Sequence, residues 1–169
     1  MRASNILLAA ALAAAASMAP VAAQADDTTW TAQLSAAEEV PANASLARGV
    51  AVFRLSSDGS ALEYRLIVAN LHNPIAAHIH LGEAGTNGAV VTFLYGPAAA
   101  GAGRTSGVIA TGSITDADLV GPLAGQTLDE LLAAIEAGDA YVNVHTNDGG
   151  PVTNEPGDIP GGEIRGQID

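Results

Sequence analysis

Short runs in which apolar and polar residues alternate, each closed by Gly, Pro, Asn or Asp, fill this chain from Thr28 to its end. A period of two is the period of a β-strand, whose successive side chains point to opposite faces. Eight stretches read this way: Thr28–Leu34, Arg48–Leu55, Ala61–Val68, Ala76–Leu81, Ala89–Leu94, Thr105–Ile114, Ala140–Thr146 and Glu163–Ile168. Ser57-Asp58-Gly59-Ser60 is a hairpin turn between two of them. Many short strands with little between them predict an all-β fold, an antiparallel immunoglobulin-like or Greek-key sandwich or barrel. One short helix, Thr127–Ala137, breaks the pattern. Thr127 and Glu130 have capping-box spacing, Leu128, Leu131, Leu132 and Ile135 form a stripe, and Gly138 suits the stop.

The N-terminal segment has a different character. Arg2 precedes the uncharged apolar run Ile6–Ala16, and Ala23-Gln24-Ala25 is a small-x-small cleavage site. Residues 1–25 therefore read as a signal peptide and residues 26–169 as one exported domain, periplasmic or secreted. The leader run is too short for a membrane span, and no second apolar stretch follows it.

Charge and sulfur narrow the chemistry. Removing the leader removes Arg2 and no acid, so the domain is one unit more negative than the −12 of the full chain, and it has no lysine. Such a surface repels nucleic acid and anionic membranes, which bind through cationic contacts. Cysteine is absent and both methionines, Met1 and Met18, lie in the leader. Disulfides, thiolate nucleophiles and sulfur-ligated metals are excluded, so any metal site is built from imidazole and oxygen.

The four histidines are unevenly placed. His78 and His80, two apart on a strand, share one face, while Ile79 and Leu81 take the other. In Tyr141-Val-Asn-Val-His145-Thr, Asn143 and His145 share a face opposite Val142 and Val144. With the aliphatic faces inward, all three histidines project outward, and on neighbouring strands they form one patch that can chelate copper or zinc. Asn143 and Glu163 are the candidates to orient the rings from behind. The test is distance: the ring nitrogens must come within about 4 Å of one another. His72, in Asn70-Leu-His-Asn-Pro74, reads as a loop residue.

Other motifs are weaker. Gly82, Gly85 and Gly88 have no helix or Gly-Lys-Thr after them, so they read as turn formers rather than a phosphate loop. Asp148, Asn154, Glu155 and Asp158 lie in a Gly/Pro-rich loop, but their spacing is not that of a calcium loop. No Gly-x-Ser-x-Gly occurs, and no catalytic constellation is complete.

The segments 34–41, 76–91, 141–146 and 161–168 closely resemble, in order, the CHRD domain, first described in chordin and found in exported bacterial proteins. The resemblance covers about residues 29–168 and implies a β-sandwich or a related barrel, with no established enzyme activity. The order of strands around His78, His80 and His145 is also similar to that of Cu/Zn superoxide dismutase, which would make those residues copper ligands. The chain departs from that family in lacking a bridging histidine, a zinc-ligand cluster and a disulfide. Arg165 also sits nearer the final glycine than a substrate-guiding arginine should.

Two functions follow from the sequence. One is a non-catalytic binding or structural module acting on an exported protein, a polysaccharide or an envelope component. The other is a copper- or zinc-binding protein with a three-histidine site, with superoxide-dismutase-like chemistry as its extension.

Overall fold

The computed structural model describes residues 28–151 and 155–169. The signal-peptide reading of residues 1–25 and the candidate ligand Asn154 lie outside the described residues. Among these, eight strands form one antiparallel sheet: β1 (Thr29–Ser35), β2 (Arg48–Leu55), β3 (Leu62–His72), β4 (Pro74–Leu81), β5 (Val90–Tyr95), β6 (Arg104–Ile114), β7 (Ala140–Thr146) and β8 (Ile164–Gln167). Their order is β5-β4-β7-β8-β1-β2-β3-β6. The sheet curls into a nearly closed barrel, and Tyr64 Oη on β3 donates to Leu94 O on β5 (2.8 Å) across the seam. The all-β antiparallel prediction holds, in its barrel form.

Alternation places the core. Trp30, Phe53, Leu66, Ile79, Val142, Val144 and Ile164 point inward and are buried. Burying one such side chain contributes roughly 1.5–3 kcal/mol, which is why the period-two pattern holds the register. On β7 the outward residues are covered as well: Tyr141 and Asn143 are 2 % and 4 % exposed. The two turns described below roof this part of the outer wall.

The helix α1 spans Leu128–Glu136, and Leu128, Leu131 and Ile135 join the core as the stripe predicts. Its start corrects the capping-box reading. The Thr127 side chain makes no cap bond; Asp116 Oδ1, from the preceding segment, accepts the Leu128 amide at 2.6 Å. The box forms instead at Thr115 and Asp118, on a short 3-10 turn. Sequence spacing cannot reveal a cap supplied from outside the helix. His72 is also corrected: it is the last residue of β3, paired with Arg104, and not a loop residue.

Asp116→Ala should therefore lower the unfolding free energy by about 1 kcal/mol, the usual worth of a cap. Thr127→Ala should cost at most roughly a few tenths of that, since no cap bond is lost. Urea denaturation of both variants checks the assignment.

Candidate metal centre

β4 and β7 are neighbours, and their register fixes the site. His78 lies opposite Asn143, His80 opposite Tyr141, and Ala76 opposite His145. The histidines thus occupy one outer face, with His145 diagonal to His78. One nitrogen from each ring lies within 4.8 Å of the other two. His78 Nδ1 and His145 Nε2 are already 3.0 Å apart. Among the described residues this is the one cluster of three such side chains able to hold a metal. Asp148, Glu155 and Asp158 do not form one.

Two backbone carbonyls set the rings. His80 Nδ1 faces Gly88 O at 2.9 Å, and His145 Nδ1 faces Pro160 O at 2.9 Å. A carbonyl only accepts, so in both neutral rings Nδ1 carries the proton and Nε2 presents a lone pair. His145 Nε2 then accepts from His78 Nδ1–H. His80 Nε2 is buried with no hydrogen-bond partner among the described residues. A lone pair left this way is costly unless something fills the space.

Glycine makes the first carbonyl contact attainable. A Cβ at Gly88 would lie 1.4 Å from Leu81 O, so only glycine lets the 82–88 turn fold back onto the end of β4. Arg165 latches this turn: it donates to Thr86 O (2.7 Å) and Glu83 O (3.1 Å). Its guanidinium lies 3.4 Å from the Tyr141 ring centroid, and Tyr141 stacks on His80 at 4.9 Å. Arg165 is 1 % exposed and committed to this stack. Phe93 on β5 stands edge-on to His78 at 4.8 Å and forms the outer rim.

The structure revises several expectations. The histidines do face away from the core, but they form no open patch: His80 is 8 % exposed and the other two are half-buried. The residues meant to orient the rings also differ. Glu163 bonds no ring. It precedes β8 and accepts from Ser45 Oγ, Thr146 Oγ1 (2.6 Å) and Gly157 N (2.8 Å), clasping two loops to β7. Asn143 does lie beside His80 and favours its charged form. The Gly88 and Pro160 carbonyls went unnoticed because backbone acceptors leave no residue-type signal. Glu39 was missed as well.

Burial controls the protonation of the site. Desolvation, then the neighbouring His145 and His80, push His78 from 6.5 down to about 4. His80 and His145 are lowered too, chiefly by burial. All three are neutral at pH 7, the form that binds metal. Such a ring set can hold one ion and leave a fourth position open.

A family model described as the CHRD domain matches residues 30–168 of this chain. Comparison with curated proteins and with solved structures returned no significant match.

The depressed histidines make acid destabilising. Unfolded histidines protonate near 6.5 and the folded ones only lower, so protons favour the unfolded chain as pH falls from about 6.5 towards 4. Glu39, raised from 4.5 to about 7 mainly by burial, runs the opposite way: its stabilisation is full below 4.5 and lost as pH rises through 7. The His78 share is isolated by comparing metal-free wild type with His78→Gln. The difference should shift against wild type by on the order of 1–2 kcal/mol between pH 7.5 and 4, discounted for the half exposure of the ring. A pH-independent difference in urea unfolding would contradict the assigned shift.

Proposed function

Because this chain belongs to the CHRD domain family, we propose that it is an exported CHRD module that binds one copper ion through His78, His80 and His145. The observation that carries the reading is the buried, unpartnered Nε2 of His80, in a cluster whose ligating nitrogens lie within 4.8 Å of each other. Metal–imidazole bonds of about 2 Å require nitrogen separations of about 3.3 Å in a tetrahedron and 4 Å when the rings are opposed. The widest separation must close by roughly 1 Å, within the swing of a half-buried imidazole, and the His78–His145 pair must open slightly. His78 moves its proton from Nδ1 to Nε2 on binding. Three neutral imidazoles favour Cu(II) on affinity order, with zinc next.

The module reading is compatible with this one. No helix among the described residues is long and apolar enough to cross a membrane. The partner would be another exported protein, a polysaccharide or an envelope component. Phe93, 53 % exposed beside His78, is the apolar side chain that such a partner would meet at the site. Dismutase-like chemistry draws no support from Arg165, whose guanidinium is buried in the turn latch rather than aimed at an open position.

Cu(II) titration of purified residues 26–169 should show one tight equivalent, with an electron paramagnetic resonance signal of nitrogen ligation. His80→Ala or His145→Ala should weaken binding by more than about 100-fold, beyond the range of losses caused by residues behind the ligands. Gly88→Ala should weaken it about 10- to 100-fold by displacing the carbonyl that orients His80. Absence of binding at micromolar Cu(II), or unchanged affinity in His80→Ala, would remove the metal reading.

A further inference from the structure

Next to the histidines lies a cleft of about 590 Å³, between the 39–44 segment and the 159–162 turn. Both turns that orient the rings contribute to its walls. Asn87, one residue before the Gly88 carbonyl, lines it on one side, and Ile159, Gly161 and Gly162, flanking the Pro160 carbonyl, line it on the other. Asn87 Nδ2 donates to Val40 O (2.8 Å), tying the 82–88 turn to the 39–44 segment. Val40, Pro41, Ala42 and Ile159 give the cleft an apolar frame.

Its polar end is a single buried carboxyl group. Glu39 is 7 % exposed, and its Oε1 has no hydrogen-bond partner among the described residues. Asn143, which lies beside His80, turns its Nδ2 towards the same spot. Gly162 allows this convergence. A Cβ there would lie 2.7 Å from Glu39 Oε1 and 2.8 Å from Asn143 Nδ2, and its φ of +130° also disfavours any side chain. A buried acceptor without a donor at the end of an apolar cleft defines the complementary ligand: one that brings a donor hydrogen on a compact carbon frame.

We propose that this cleft binds a small uncharged hydroxyl compound, of the phenol or alcohol class, whose O–H is accepted by Glu39 while its carbon frame packs on Val40, Pro41 and Ile159. The inference is independent of the metal reading, since none of the three histidines lines the cleft. Binding itself needs only the cleft. Glu39 also explains the preference for an uncharged ligand. Its carboxyl group, raised to about 7 by burial against the opposing pull of Arg165, offers an anion no cationic partner within the cleft.

The test uses phenol as the probe and metal-free protein, so that its outcome is independent of the copper titration. Phenol should cause saturable shifts of the Asn87, Gly161 and Gly162 amide resonances. Toluene, of similar frame but without a donor, should bind about tenfold more weakly, roughly the loss of one hydrogen bond. Glu39→Leu should bring phenol down to the toluene level. The wild-type comparison of phenol with toluene holds even if that variant fails to fold. Equal binding of the two probes would overturn the inference. So would shifts confined to a second groove elsewhere on the barrel, lined by residues 33–35 and 48–50, or phenol binding unaffected by a folded Glu39→Leu.

Discussion

The pairing of β4 with β7 is the constraint on which the site depends. Their antiparallel register puts His78 opposite Asn143 and places His145 one diagonal step away. A slip of one residue would turn Ile79 and Val142 outward and drive the imidazoles into the core. The aliphatic faces forbid this, since Ile79, Val142 and Val144 are fully buried. The apolar residues thereby position the polar ones: the energy that fixes the histidines is the burial of their chain neighbours.

Backbone turns then convert three surface imidazoles into a defined cluster. The 82–88 turn and the 157–163 turn each deliver one carbonyl to one ring nitrogen, fixing the tautomer. Burial also lowers all three basicities, so the rings wait as neutral ligands. The Arg165–Tyr141–His80 stack supports the first turn, and Glu163 clasps the second through Gly157. Arg165 and Glu163 thus act on the site through the loops they hold.

The sequence displays the parts of this arrangement that repeat with a period. Alternation identified all eight strands to within a few residues, with Arg48–Leu55 and Ala140–Thr146 matching at both ends. It placed the three histidines on the outer face, because facing follows from parity alone. It could not show that β4 and β7 are neighbours, which depends on a chain path through β5, β6 and α1. Nor could it show the roof: Gly88 O and Pro160 O are chemically the same as every other carbonyl in the chain. Asp116 as the helix cap and Glu39 beneath Gly162 escaped for a different reason, being tertiary contacts that no local spacing encodes.

Electrostatics gives the proposed site its selectivity. With 18 acidic residues against six basic ones, the chain carries a field that gathers cations and thins out anions near its surface. The arginine nearest the site, Arg165, opposes this locally, its charge lowering the pKa of both His80 and Glu39, while its donors are used on Thr86, Glu83, Asn87 and Gln167. A neutral three-imidazole cluster in such a field suits a divalent cation, whose charge is met by the surrounding carboxylates at long range rather than by an anionic ligand at contact. On the proposed reading, the field favours a cation on the rings and the cleft an uncharged donor.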